Sequence, residues 1–188
     1  IGYNHHFGRN REGNLELLNE LGVTYDFKVQ EIPAVSKSNI NISSTKIRRA
    51  IQDGDILKAN TFLGEPFRFE GKVMHGDQIG TKIGFPTANI VPLDKNQVTP
   101  KNGVYAVKVK VQNKRYGGMM NIGTRPTVGK SDERRIEVNL FDFDEMIYGQ
   151  ELEVSVYNRI RSEQSFESLD ALKEQLKHDK EACHHILH

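Results

Sequence analysis

The chain has 188 residues, of which 37% are hydrophobic and 27% are charged, so it predicts one globular domain or one domain and a fragment. Its 26 basic and 25 acidic side chains nearly cancel, which argues against binding to nucleic acid or to an anionic membrane. The apolar runs are too short to span a membrane, and the single Cys183 cannot form an internal disulfide, which fits a cytoplasmic protein.

The first third of the sequence alternates between strand and helix patterns and predicts an α/β segment. Residues 1–7 resemble the end of a strand that runs into a loop, and Asn14 is placed to cap a helix that ends at Gly22. A second strand is predicted over residues 23–32. Because the chain starts without Met and in the middle of a predicted strand, we expect it to be a fragment.

Hydroxyl side chains precede a predicted helix that ends at Gly54, and basic residues follow them. The N-terminus of a helix has unpaired N–H groups that favour a phosphate. The same residues are also ordinary helix caps and helix formers, so a phosphate site and a plain N-cap both stay open. A further helix is predicted from its cap at Asp55 to Leu63, closed by Gly64. The residues of the candidate phosphate site are Ser43, Ser44, Thr45 and Arg48.

After Pro66 the hydrophobic pattern changes from a helical period to alternation. About five or six alternating segments follow with turns at Gly, Pro and Asn, which predicts an antiparallel barrel or sandwich. A tight hairpin is predicted at Asn113 and Lys114. From Ser168 the helical period returns, and we expect this last helix to pack across the barrel rather than to bind a ligand.

A glycine-rich stretch, GKVMHGDQIGTKIGFPTAN, spans residues 71–89. Its glycines allow the backbone to fold closely over a ligand, and consecutive N–H groups in such a loop can face an anion. Pro86 favours an extended backbone, which places the oxygen atoms of Thr87 and Asn89 on one side of the chain. Such oxygens can hold a hard cation when a phosphate supplies the negative charge. The alternative is a surface turn followed by a strand, and neither GxxxxGK[ST] nor GxGxxG is present to decide.

Five segments, in this order along the chain, resemble the riboflavin kinase domain and together cover about residues 63–185. They are the glycine-rich stretch at residues 71–89, KNGVY at 101–105, NIGTRPT at 121–127, EVNLFDF at 137–143 and RIR at 159–161.

Upstream, GYNHHFG at residues 2–8 and ISSTKIR at residues 42–48 resemble the back half of the FMN adenylyltransferase domain. That domain precedes the kinase in bifunctional bacterial FAD synthetases. Its family's histidine motif, of the HxGH kind, belongs to the front half and is absent from this sequence. We therefore expect a partial adenylyltransferase domain at residues 1–62 and a riboflavin kinase domain at residues 63–188.

The resemblance implies a mainly β fold, namely a six-stranded antiparallel Greek-key barrel with a C-terminal α-helix, preceded by a truncated α/β nucleotidyltransferase segment. It implies transfer of the γ-phosphoryl group of ATP to the 5′-hydroxyl of riboflavin, with Mg²⁺, to give FMN and ADP. Two alternatives stay open. The intact parent protein also adenylylates FMN to FAD, or the barrel binds flavin or nucleotide without chemistry. The oligomeric state is not predicted.

The resemblance also assigns roles to particular residues. Glu137 matches the general base and contacts the flavin, and Arg161 lies in a second loop that closes over the flavin. Asn139 stands where many relatives carry His, and Thr81 and Lys82 stand where Arg is frequent, which puts the corresponding contacts in doubt. Thr87 and Asn89 match the ligands of the Mg²⁺–nucleotide, and the further nucleotide-binding residues are Gly71, His75, Gly76, Gly80, Pro86 and Asn121.

Overall fold

The structure is a computed structural model, and it describes the chain apart from residues 3–4, 34–35, 38–39, 77–79, 81–82 and 126–132. Packing divides the chain into two compact units, Ile1–Ser44 and Thr45–His188. The sequence places a domain boundary at residues 62 and 63 instead. The difference arises because the two helices before residue 63 contribute to the core of the second unit.

The first unit contains a short 3-10 helix, Arg9–Arg11, the helix α1, Leu15–Tyr25, and a hairpin of β1, Ser36–Lys37, and β2, Ile40–Asn41. Asn14 caps α1 as predicted, since its side-chain oxygen accepts a hydrogen bond from the Leu17 N–H at 3.0 Å.

The predicted end of α1 at Gly22 is wrong. The helix continues to Tyr25, and its C-cap residue Asp26 takes the left-handed conformation with φ 54°. Gly22 is buried within the helix, where a Cβ would come within 2.7 Å of the Phe27 carbonyl oxygen. The strand predicted over residues 23–32 is therefore wrong at its start, and Ile32 makes an isolated parallel bridge to Gly2. Of the strand predicted at residues 1–7, the described residues show isolated bridges at Gly2 and Phe7.

Two short helices precede the barrel. The helix α2, Ser44–Asp53, begins at Ser44, so Ser44 and Thr45 lie in its first turn rather than before it. The helix α3, Ile56–Leu63, is capped as predicted, because the Asp55 carboxylate accepts a hydrogen bond from the Lys58 N–H at 3.2 Å. Gly64 closes it with φ 81°. The buried residues Ala50, Ile51, Ile56 and Ala59 of these helices join the main hydrophobic core.

Six antiparallel strands form a closed barrel in the order β3-β4-β7-β6-β5-β8. The order confirms the predicted Greek-key barrel, because β5, β6 and β7 are successive neighbours while the next strand, β8, returns to pair with β5. The strands are β3, Phe67–Met74; β4, Ala88–Pro92; β5, Gly103–Val111; β6, Lys114–Arg125; β7, Glu133–Leu140; and β8, Glu151–Arg161.

The apolar side chains that alternate along the strands point inward and fill the interior of the barrel. Buried and exposed residues alternate strictly along β3, and β-branched residues suit such a pleated, packed surface. The hairpin between β5 and β6 is displaced by one residue from its predicted position. Its loop is Gln112–Asn113, because Val111 pairs with Lys114 and Gln112 takes φ 53°. The most deeply buried interior side chains are Tyr105, Val107, Val109, Met120, Ile122, Val138, Val154 and Val156.

The helix α4, Leu169–Leu187, packs on the outside of the barrel, and Ser168 caps it as predicted by accepting a hydrogen bond from the Ala171 N–H at 3.1 Å. It buries a second cluster of apolar residues, so β5 and β6 are covered on both faces where it lies. No helix in the described part of the chain is long and apolar enough to span a membrane. The second cluster consists of Val104, Ala106, Met119, Phe141, Cys183 and Leu187.

Candidate active site

A single row of side chains crosses five adjacent strands of the barrel. Asn89 of β4 is the direct partner of Glu137 of β7, and Glu137 is also the partner of Asn121 of β6. Asn121 pairs with Val104 of β5, and Val104 pairs with Arg161 of β8. Directly paired residues of neighbouring antiparallel strands project from the same face of a sheet. The barrel therefore brings together four of the predicted site residues, which lie far apart in the sequence.

The row lines a cleft of about 530 Å³, a volume in the range of pockets that bind small molecules. Glu137 is half-buried in this row, while Ile136 and Val138 on either side of it are buried in the barrel core. Alternation thus directs one carboxylate into the cleft. The predicted site residues that line the cleft are Gly80, Thr87, Asn89, Asn121, Glu137 and Arg161.

Thr87 lies directly before β4, and a buried side chain fixes the backbone beside it. The Asn139 Nδ2 donates a hydrogen bond to the Pro86 carbonyl oxygen at 2.7 Å, and Asn139 is only 6% exposed. The Asn139 amide therefore has a structural role beside the cleft. It holds the segment that presents Thr87 and Asn89 to the cleft.

Two of the predicted glycines are packed against this segment. A Cβ at Gly76 would lie 1.8 Å from the Asn89 Nδ2, and a Cβ at Gly80 would lie 2.2 Å from the Phe85 carbonyl oxygen and 3.4 Å from the Thr87 Oγ1. No side chain fits at either position without a shift of its neighbours. Thr81 and Lys82 lie outside the described residues, so the structure does not bear on their contacts.

Four predicted nucleotide-binding residues are not part of the described lining of the cleft, namely the Gly76 described above and Gly71, His75 and Pro86. Gly71 is buried in the barrel, where a Cβ would lie 2.3 Å from the Ile90 Cγ2, so packing of the barrel accounts for this glycine. His75 is exposed and stacks on Tyr148 with ring centroids 4.0 Å apart. Pro86 lines a smaller depression that shares Phe85 and Asn139 with the cleft.

Arg161 ends β8 and is largely buried. Two register shifts between β5 and β8, near Tyr105 and near Val107, cancel each other by the end of β8, so Arg161 pairs with the outward-facing Val104, as strict alternation from Val156 also predicts. Its guanidinium lies 5.7 Å from the centre of the Phe166 ring, and both residues line the cleft. A planar cation of this kind can stack on an aromatic ligand or donate hydrogen bonds to it.

The candidate phosphate residues lie at the start of α2. Ser43 directly precedes the helix, Ser44 and Thr45 open it, and Arg48 is exposed one turn later.

Comparison with known proteins identifies the family. A family model described as riboflavin kinase matches residues 63–187, which include the whole barrel and α4. The chain belongs to the riboflavin kinase family. A second model, described as FAD synthetase, matches residues 1–46. The two matches lie on either side of residues 47–62, a stretch that contains most of α2 and all of α3 except Leu63.

The relatives carry corresponding names. The bifunctional riboflavin kinase/FMN adenylyltransferase of Buchnera aphidicola subsp. Schizaphis graminum is 45% identical over 184 residues, covering 96% of this chain and 58% of that protein. The Escherichia coli K12 protein of the same name is 42% identical over 181 residues, covering 96% of this chain and 57% of that protein. The chain thus spans less than two thirds of the length of these relatives.

A solved structure from Streptococcus pneumoniae superposes with a TM-score of 0.85 at 39% identity and covers 97% of this chain and 58% of that chain. That structure is described as a macrolide-efflux protein, and this description applies to the Streptococcus pneumoniae protein and not to the present chain. The membership of the present chain in the riboflavin kinase family rests on the matching family model and on the two relatives above.

Sequence reasoning missed two acidic residues of this riboflavin kinase barrel. Asp179 of α4 accepts hydrogen bonds from Arg161 and is 1% exposed. A signal for it is present, because Asp179 falls between Leu176 and Cys183 in the apolar stripe of the helix, where a charged residue is out of pattern.

Glu163 is the second missed residue, and it lines the cleft. The Asn102 Nδ2 donates to the Glu163 Oε2 at 2.9 Å and to the Thr124 Oγ1 at 2.6 Å. A Cβ at Gly123 would lie 2.3 Å from the Glu163 Oε1, so this glycine makes room for the carboxylate. Nothing in the spacing of Asn102 and Glu163 along the sequence indicates the contact.

Proposed function

We propose that this chain is a riboflavin kinase that transfers the γ-phosphoryl group of ATP to the 5′-hydroxyl of riboflavin, giving FMN and ADP in the synthesis of FMN and FAD. The observation that carries the proposal is the row of Asn89, Glu137, Asn121 and Arg161 in one cleft, with Thr87 beside it. Family membership supports the reaction class, and the cleft supplies a base, oxygen ligands and a cationic wall.

Glu137 is the proposed general base. A new bond forms between the 5′-oxygen of riboflavin and the γ-phosphorus, the bond from that phosphorus to the β–γ bridging oxygen breaks, and the hydroxyl proton passes to the Glu137 carboxylate. Phosphoryl transfer depends mainly on positioning and on charge stabilisation. Glu137 lies in the middle of the row of paired residues, so its carboxylate is well positioned to accept a proton. A general base of this kind typically increases the reaction rate by a factor of about 10² to 10⁴.

Thr87 and Asn89 are the proposed ligands of Mg²⁺ on the nucleotide. Their hydroxyl and amide oxygens are the hard, neutral donors that suit Mg²⁺ when it is also bound by substrate phosphates. The described residues hold no group of three or more His, Cys, Asp or Glu that could bind a metal on its own, so the phosphates would complete this site. A bound Mg²⁺ would neutralise charge on the transferred phosphoryl group.

The remaining roles divide by position. Gly76 and Gly80 pack against the metal-ligand segment, and Asn121 lies beside the base, so we propose that these three residues contact the nucleotide. His75 and Pro86 are proposed to border it. Gly71 has a packing role in the barrel, and any effect on the nucleotide would be indirect. Arg161 is the proposed wall of the riboflavin site.

The test is to incubate the purified, folded chain with riboflavin, ATP and Mg²⁺ and to separate the flavins by chromatography. We expect FMN and ADP to form together, and omission of Mg²⁺ should stop the reaction. Tight binding of riboflavin without FMN would select the non-catalytic alternative, a flavin-binding barrel. Absence of both binding and turnover would overturn the proposal.

A second activity is proposed for the longer protein, namely adenylylation of FMN to FAD. It is favoured by the FAD synthetase match at residues 1–46 and by the bifunctional names of the relatives. We propose that residues 1–62 derive from that adenylyltransferase and residues 63–188 from the kinase, and that both reactions take place in the cytoplasm. Ser43, Ser44, Thr45 and Arg48 are then the proposed phosphate site of the adenylyltransferase. FAD and pyrophosphate formed from FMN and ATP by the longer protein would support this activity.

A further inference from the structure

Asp179 is a buried carboxylate, and it has no role in the phosphoryl-transfer reaction proposed above. It is 1% exposed and lies within an apolar stripe of α4. Burial of a charged group is unfavourable unless the charge is paired and hydrogen-bonded. The contacts of Asp179 therefore have to explain why the helix carries a charge here. The apolar residues of the stripe are Leu172, Leu176, Cys183 and Leu187.

In the described part of the chain, the side chains of Arg161 and Gln175 donate hydrogen bonds to Asp179. The Arg161 Nε donates to Asp179 Oδ1 at 2.9 Å, and its Nη2 donates to Oδ2 at 2.7 Å, a two-point pair. The Gln175 Nε2, one turn earlier on α4, donates to Oδ1 at 2.9 Å. Arg161 is itself restrained further, because its Nη1 donates to the Ser162 carbonyl oxygen at 2.9 Å. The guanidinium is thus held in one plane beside Phe166 at the edge of the cleft.

Stability alone is a weak explanation for this pair. The desolvation of two buried charges offsets much of their attraction, and apolar residues of similar size are often as stable. The neighbouring side chains of the stripe show that α4 packs on the barrel through Leu and Cys residues. A planar, fixed guanidinium, in contrast, has a direct use in a ligand site, because ordering it beforehand removes an entropic cost from binding.

We propose that Asp179 is a positioning residue of the riboflavin site. It holds the Arg161 guanidinium so that its plane forms the wall against which the isoalloxazine ring packs, and Gln175 holds Asp179 in turn. The C-terminal helix is therefore part of the acceptor site as well as a cover for the barrel. This inference rests on the proposed function, because it assumes that riboflavin occupies the cleft.

The experiment compares Asp179→Asn with Glu181→Gln, a matched control that removes an exposed carboxylate from the same helix. Riboflavin binding is measured by the change in flavin fluorescence, and KM values for riboflavin and ATP are measured separately. Asp179→Asn should raise the Kd and KM for riboflavin by about tenfold or more and change the KM for ATP by less than about twofold. Glu181→Gln should behave as the wild type does.

A second variant separates positioning from a purely structural role. Arg161→Lys keeps a cation for Asp179 but removes the planar guanidinium, so it should retain the wild-type melting temperature and weaken riboflavin binding as Asp179→Asn does. In a protein that already carries Arg161→Lys, the further change Asp179→Asn should alter riboflavin binding by less than about twofold. Asp179 is proposed to act through the Arg161 guanidinium, so the effects of the two substitutions should not add.

A lower melting temperature for Asp179→Asn with unchanged riboflavin affinity would overturn the inference, and so would additive effects of the two substitutions. Wild-type protein that binds riboflavin but forms no FMN would contradict the proposed function alone, because the inference is measured by binding. Wild-type protein that does not bind riboflavin would contradict both.

Discussion

Asn89 and Glu137 are direct partners across the pairing of β4 with β7. Side chains in such a pair start about 5 Å apart and project from the same face. The proposed metal ligand and the proposed base are therefore set next to each other by the hydrogen-bonded ladder of the barrel. A rigid pair of strands positions reactive groups more accurately than two loops would. The spacing of the proposed metal ligand and the proposed base is thus set by the strand register.

Replacement of Glu137 by Gln should slow the kinase without preventing binding. The amide keeps the shape of the side chain but cannot accept the hydroxyl proton, so we expect kcat to fall by about 10² to 10⁴. The Kd of riboflavin should change by less than about threefold. Steady-state formation of FMN and equilibrium fluorescence titration provide the two measurements.

The matched control for this variant is Glu133→Gln, which alters the first residue of the same strand. We expect wild-type kinetics from it. A Glu137→Gln protein with normal kcat would remove Glu137 as the base and would direct attention to the other carboxylate of the cleft, Glu163.

Replacement of Asn139 should affect the nucleotide more than the flavin. Asn139→Asp has nearly the same shape but no donor for the Pro86 carbonyl oxygen, and loss of a partner by a buried polar group costs about 1–3 kcal/mol. Because this bond holds the segment before Thr87, we expect the KM for Mg²⁺–ATP to rise by about tenfold.

Asn139→His is the control for this substitution, since an imidazole N–H can still donate to the carbonyl oxygen. It should retain a KM for Mg²⁺–ATP within about threefold of the wild type. Equal KM values for the Asp and His variants would show that the hydrogen bond to Pro86 has no influence on the nucleotide.

Local signals predict much of this fold. The alternation of Ile136 and Val138 around Glu137 correctly predicts a strand with an outward carboxylate, and the caps at Asn14, Asp55 and Ser168 correctly predict where three helices begin. These signals succeed because each depends on residues within one turn or one strand.

Long-range pairings are different. The partners of Glu137 depend on the register of β4, β7 and β6, and no local pattern fixes which residues become opposite. The register shifts in β8 place Arg159 opposite the buried Tyr105, and a strict alternation pattern does not predict them. The position of Asp179 in an apolar stripe signals burial, but its contact with Arg161 becomes evident when the helix and the barrel are seen together.

Two glycine substitutions should separate packing from nucleotide binding. In Gly71→Ala the new Cβ would lie 2.3 Å from the Ile90 Cγ2 and 3.0 Å from the Val91 carbonyl oxygen, inside the barrel. Overpacking of this kind costs about 1–3 kcal/mol, so we expect a lower free energy of unfolding. In Gly76→Ala the new Cβ would displace the Asn89 side chain, and the KM for Mg²⁺–ATP should rise by about tenfold with little loss of stability.

Gly2→Ala is the control, because a Cβ at Gly2 would have nothing within 4 Å. Urea denaturation and steady-state kinetics of the three variants give the comparison. A Gly71→Ala protein with wild-type stability would mean that the barrel relaxes around the methyl group. A Gly76→Ala protein with a wild-type KM for Mg²⁺–ATP would mean that nucleotide binding does not depend on the position of the Asn89 side chain.

The buried thiol of Cys183 should make the protein less stable at alkaline pH. Burial, and to a smaller extent the charge of Asp179, raises the pKa of Cys183 from 9.0 to about 12 in the folded chain. The folded thiol keeps its proton when the unfolded chain has lost it, so the stabilising effect is complete below pH 9 and is lost as the pH rises toward 12. Between about pH 9 and pH 10 the free energy of unfolding should fall by about 1 kcal/mol from this group.

Cys183→Ala provides the comparison, because it lacks the titrating group, although the cavity lowers its stability at every pH. The difference in unfolding free energy between wild type and variant should therefore shrink by about 1 kcal/mol from pH 9 to pH 10. The upper limit is chosen because burial also raises the pKa of Tyr105 above its usual 10.0, and titration of that phenol contributes beyond it. A difference that stays constant over this range would mean that the Cys183 thiol titrates equally in the folded and unfolded chains.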